Sequence, residues 1–75
     1  MSSLAELAVH DRARVVKVNG SDQISRRLLE MGITPGVEVV LIGTAPFGDP
    51  IELEVRGYRL SVRRSEAERA EIERL

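Results

Sequence analysis

The amino-acid sequence predicts a mostly-β domain with one main helix, its short strands bent into a small barrel. Three observations carry that expectation. Residues 37–42, 51–56 and 58–63 alternate apolar and polar side chains, the pattern of strands with one dry and one wet face. Only the segment around Ile24, Leu28 and Met31 repeats its apolar residues at clear helical spacing, i, i+4, i+7. The chain has 75 residues, and a domain that short buries only about 60% of its unfolded surface. A strongly bent sheet with the helix plugging one open side is the economical way to bury three dry faces. Residues 1–75 read as one domain.

Each element has its own local reason. Ser3 and Glu6 have capping-box spacing, so residues 4–7 are expected as one helical turn. Residues 13–18 are rich in β-branched side chains and read as a strand. Asn19, Gly20, Ser21 and Asp22 make a loop, and Ser21 or Asp22 caps the helix. Gly32 and Ile33 supply the left-handed residue and the following apolar contact of a Schellman ending. Thr34-Pro35-Gly36 suits a type II turn, with Pro at its first central position and Gly at its second. Residues 37–42 form the next strand, with Val37, Val39 and Leu41 on one face, and residues 43–50 a loop holding the chain's only Phe. Ile51, Leu53 and Val55 share a face, Arg56-Gly57 makes a two-residue hairpin turn, and Tyr58, Leu60 and Val62 return on the same face. Antiparallel pairing then sets Glu52 and Glu54 beside Arg59, Ser61 and Arg63. Ser65 and Glu68 give a second capping-box spacing. Residues 70–75 suit helix by propensity and strand by alternation, and six residues of pattern do not decide.

Composition excludes several classes. There is no cysteine, so disulfide staples and thiolate metal sites are out, and a cytoplasmic home is favoured. No window approaches the roughly 20 apolar residues of a membrane span, and the N-terminus lacks the basic and apolar regions of a signal peptide. The net charge is −1, from 11 basic and 12 acidic residues, which argues against general affinity for nucleic-acid phosphates. Ten of the eleven cations are Arg, the better group for planar contacts, although codon bias explains such an excess equally simply.

Catalysis and metal binding find little support. His10 is the only histidine; Asp11 beside it could orient an imidazole, but no second His or Cys shares a metal, and a solvated turn residue is the favoured reading. Glu52 and Glu54 share a strand face and read as solvated partners of Arg rather than as an acid/base pair, since shifted pKa values need burial. Glu66, Glu68, Glu71 and Glu73 lack the Gly-centred oxygen loop of a calcium site, and Gly43 and Gly48 open no phosphate-binding helix. No cofactor and no enzymatic activity are expected. Two features suit partner binding instead. The helix presents Arg26, Arg27 and Glu30, with Leu29 read as extra core rather than as an exposed anchor. The 44–50 loop presents Phe47, equally suited to a hot spot and to a lid on the barrel mouth.

Taken in order, these motifs resemble the FeoA family. The run from Arg27 to Gly36 is similar to that family's helix-to-turn signature, Gly48-Asp49-Pro50-Ile51 to its central loop, residues 55–63 to its hairpin, Ser65-Glu66-Ala67 to its closing turn, and Leu4 with Leu7 to its N-terminal turn. Two positions depart from the pattern: Asp11 stands where a Gly is usual, and residues 70–73 are more polar than the family's last strand. The resemblance implies an SH3-like β-barrel of five short strands with an inserted helix, and makes residues 70–72 a strand. It implies a cytoplasmic accessory protein of bacterial ferrous-iron uptake, reaching the inner membrane through a partner. That partner is the Fe(II) transporter with an N-terminal GTP-binding domain.

The contact surface is then expected at Arg26, Arg27, Leu29 and Glu30, at Pro35-Gly36, at Phe47, and at Arg56 and Tyr58. Self-association is left open. The resemblance also extends to the C-terminal domain type of metal-dependent repressors, but the chain begins with Met and lacks a DNA-binding helix pair, which favours the stand-alone form. A nucleic-acid-binding barrel would have to use Arg56, Arg59, Arg63 and Arg64. An arginine finger from Arg26 or Arg27 and an Fe(II)-carrier role are weaker readings.

Overall fold

The computed structural model describes residues 2–75. Its elements are β1 (Ser2–Ser3), a 3-10 turn (Leu4–Glu6), β2 (Arg12–Val18), α1 (Gln23–Glu30), β3 (Glu38–Thr44), β4 (Ile51–Val55), β5 (Tyr58–Val62), α2 (Arg64–Ala67) and β6 (Ala70–Arg74). The strands form one antiparallel sheet in the order β1-β6-β2-β3-β4-β5. That is one strand more than the five expected, because Ser2–Ser3 pairs with Ile72 and Glu71. The fold class expected from the sequence is the one observed, a mostly-strand sheet with one main helix.

The dry faces are those the alternation marks. Val37, Val39, Leu41, Ile51, Leu53, Val55 and Val62 are buried, joined by Leu4, Leu7, Leu28, Ile33 and Ile72. Each such side chain contributes about 1.5–3 kcal/mol relative to exposure. β6 is a strand because Ala70 and Ile72 fill this core while Glu71 reaches Lys17 at 3.7 Å; core burial decides what six residues of propensity do not.

Tyr58 keeps the face of Leu60 and Val62, as expected, opposite the buried Val55, with 43% of its surface exposed at the end of the hairpin. Three local expectations are corrected. Leu29 is not core: it is 41% exposed, because Ser25 and Leu28 take the buried positions of the helix. The loop after β3 starts later, because β3 runs to Thr44 through a register shift between Leu41 and Gly43. The second capping box sits two residues earlier: Arg63 is the N-cap and donates its N–H to Glu66 at 3.2 Å. The expected Glu–Arg ion pairs of the β4–β5 ladder do not form within 4 Å, although Glu54 lies opposite Arg59 and Glu52 opposite Ser61. These side chains are exposed, and water competes with such pairs.

Candidate functional site

The residues expected to bind a partner fall at two ends of the sheet. At one end lie the close of α1, the turn before β3 and the β4–β5 turn. The helix ends in a Schellman motif: Ile33 donates to the Leu28 carbonyl at 3.0 Å and Gly32 to that of Leu29 at 3.1 Å. Gly32 has φ +103°, and a Cβ there would collide with the Tyr58 hydroxyl. That hydroxyl donates to the Met31 carbonyl, so hairpin and helix are bolted together. Val37 donates to Thr34 at 3.1 Å with Gly36 at φ +92°, the expected turn. Arg56 and Gly57, at φ +50° and +84°, form the tight turn that a right-twisted hairpin prefers. Pro35, Gly36 and Arg56 are exposed.

On the outer side of α1, Arg26, Arg27 and Glu30 are exposed. Arg27 is not idle. It lies 3.4 Å from the Glu66 carboxylate, whose side chain is only 10% exposed. A buried carboxylate needs a cation and hydrogen bonds, and Arg27 with the Arg63 N–H supplies both. The other end of α1 is anchored by Asp22, which accepts from Ser25 N–H at 3.1 Å and from Arg69 at 2.6 Å. The Arg69 hydrogen bond, then the Ser25 N–H, hold the Asp22 carboxyl below its ordinary value.

At the opposite end lies the loop between β3 and β4. Ala45 and Pro50 close it at 3.0 Å, and Gly48 donates to Ala45 at 2.7 Å. Arg64 braces it from outside: its Nε donates to the Gly48 carbonyl at 2.5 Å, its backbone N–H to Asp49 at 3.1 Å, and its guanidinium to Ala5 at 2.9 Å. Phe47 projects from this braced loop with 99% of its surface in water. It is therefore no lid on the barrel. Beside it a cleft of about 320 Å³ is lined by Asp49, Pro50 and Arg63. Sequence reasoning assigned no part to Arg64 in this loop. No local signal marks it, since its partners lie 15, 16 and 59 residues away.

His10 sits exposed in a turn at φ +76°, with its N–H on the Leu41 carbonyl at 2.7 Å. The Asp11 carboxylate accepts from Ala8 N–H at 2.9 Å. Asp11 thus closes the turn, and His10 takes the left-handed conformation. Among the described residues no group of three or more His, Cys, Asp or Glu side chains could hold a metal ion. No helix among them is long and apolar enough to cross a membrane.

The family model for the FeoA domain matches residues 2–74. A fusion of Fe(2+) transport protein A with the Fe(2+) transporter FeoB, from Porphyromonas gingivalis, is 36% identical over 70 residues. The match covers 93% of this chain and 8% of that protein's length. The NMR structure of an FeoA-like protein from Clostridium acetobutylicum superposes with a TM-score of 0.92 at 37% identity, covering 100% of this chain and 91% of that one. FeoA of Stenotrophomonas maltophilia, crystallised with zinc and described as a prokaryotic SH3 domain protein, gives 0.85 at 35% identity, covering 97% and 91%. With its motifs, its SH3-like sheet and these relatives in agreement, the chain belongs to the FeoA family of ferrous-iron-transport proteins.

Proposed function

We propose that this domain is a non-enzymatic accessory protein of ferrous-iron uptake that docks on the cytosolic GTP-binding part of the membrane Fe(II) transporter. The observation that carries this reading is Phe47. Aromatic side chains are enriched among binding hot spots, and a braced loop presents this exposed one with little entropy left to lose on binding. Arg26, Leu29, Glu30, Pro35, Gly36 and Arg56 at the far end offer a second, more polar contact. The Porphyromonas gingivalis relative supports the choice of partner: there, transport protein A and the transporter share one chain, which holds the two at high effective concentration. FeoA of Stenotrophomonas maltophilia, one of the solved relatives, has been put forward as a bacterial ferrous iron transport activating factor.

Calorimetric titration of this protein into the transporter's isolated GTP-binding domain tests the proposal. Saturable binding is expected in at least one of the nucleotide-free, GDP-bound and GTP-analogue-bound states. Absence of heat in all three sinks it.

A further inference from the structure

The sheet order leaves two edges, β1 and β5. β1 has two residues and offers little to pair with. β5 has five, and its outer side is regular. The two-residue turn closes on Val55 and Tyr58, so the hydrogen-bonded pairs of the hairpin are Val55 with Tyr58, Leu53 with Leu60 and Ile51 with Val62. The backbone N–H and C=O of Arg59 and Ser61 therefore point away from β4. Both residues are exposed, and no hydrogen bond to these groups is found among the described residues.

Edges this open are normally blunted by a bulge, a Pro or a covering element. The β2–β6 and β3–β4 pairings each carry a register shift; the β4–β5 pairing carries none, and β5 contains no Pro. What β5 has is charge. Arg59 and Arg63 flank Ser61 on the wet face, and neither has a carboxylate within ion-pair distance among the described residues. If two copies paired antiparallel through β5 about Ser61, Arg59 of each would face Arg63 of the other. Like charges directly opposite are unfavourable, so the arginines discourage self-pairing while leaving the main-chain groups available.

We propose that the β5 edge accepts an extended acidic segment of a partner protein as a seventh strand. Its main chain bonds to Arg59 and Ser61, and carboxylates at alternate positions meet Arg59 and Arg63. Glu52 and Glu54 oppose such a segment weakly, since they lie one strand further away, roughly 5 Å more distant. The added strand would run from the Tyr58 end to the cleft of Asp49, Pro50 and Arg63 beside the Phe47 loop. It would thus join the two ends of the sheet in one contact. The inference goes beyond the docking reading above and does not depend on the transporter supplying the segment.

The test uses a peptide of roughly eight residues, enough to cover such a strand, alternating Glu with Thr, added to the full chain. Amide hydrogen exchange read by NMR should slow at least about tenfold at Arg59 and Ser61. The same peptide with Lys in place of Glu, or N-methylated at the positions that would bond to β5, should leave both amides unchanged. Ser61→Pro removes an outward-facing N–H that the native ladder does not use, so it should abolish the effect with the remaining spectrum intact. If that variant fails to fold, the N-methylated peptide on the unaltered chain decides alone. No slowing up to millimolar peptide overturns the proposal, as does equal binding by the N-methylated peptide. Dimers that protect the same amides without peptide overturn it too.

Discussion

At one end of the β4–β5 hairpin, the Tyr58 hydroxyl bonds the Met31 carbonyl and fills the space where Gly32 lacks a side chain. At the other, Arg64 grips the loop backbone while Phe47 stands almost wholly in water. Both ends carry residues expected to touch a partner, yet they are built differently. The helix end spends its unusual residues on holding the fold together. The loop end uses a distant arginine to hold a side chain that the fold itself does not need. Residues that look equally exposed in a sequence thus divide into those that hold the barrel and those that the barrel holds out.

The most direct way to break the helix end is Gly32→Ala. It forces an L residue to φ +103° and drives a methyl into the Tyr58 hydroxyl. A loss of about 3 kcal/mol is expected, read as a lower urea midpoint at unchanged slope. For a domain of this size that is a large share of its stability. Tyr58→Phe isolates the bolt alone. It keeps the ring and removes one hydrogen bond to the helix terminus, for a loss of about 1 kcal/mol in the same measurement.

A smaller effect should appear on acidification. Asp22 titrates below its ordinary value of 3.8 in the folded state, through Arg69 and the Ser25 N–H. The stability it contributes is present above that unfolded-state value and is lost as pH falls through it toward the folded one. Asp22→Asn should flatten the acid limb of stability against pH between about 5 and 2. A variant with the same slope as the parent would show that other carboxylates carry it.

Phe47→Ala sharpens the comparison from the other end. Stability should change by less than about 0.5 kcal/mol, because the ring touches almost nothing. Affinity for the transporter's GTP-binding domain should nevertheless fall at least about tenfold. A variant that binds as well as the parent would move the contact to the helix end.

Much of this division was legible beforehand, and the rest has an identifiable physical cause. The Schellman glycine, the type II turn, the two-residue hairpin and the alternating dry faces are local patterns, and each appears where the sequence predicts it. Leu29 was misread because amphipathic spacing marks a stripe but not its width; Ser25 took the neighbouring buried position through its bond to the Asn19 carbonyl at 2.5 Å. The second cap escapes the pattern because Arg63 is not a typical capping residue; its backbone makes the contacts, its N–H donating to the Glu66 carboxylate and its carbonyl accepting from the Glu66 and Ala67 N–H groups. The Arg64 clamp and the Arg27–Glu66 pair could not be read at all, since their partners are far along the chain.

The sequence by itself determined the alternating strands, the main helix with its caps, the turns that join them, and the family. Those depend on residues within a few positions of one another, where backbone geometry and side-chain period act directly. Tertiary structure alone decided that Arg27 and Arg64 are braces, that Phe47 stands free, and that the backbone of β5 faces outward without a partner among the described residues. Each of these follows from which distant segments meet when the sheet curls. Burial and pairing across such distances are set by the closure of the whole core, which no local pattern records.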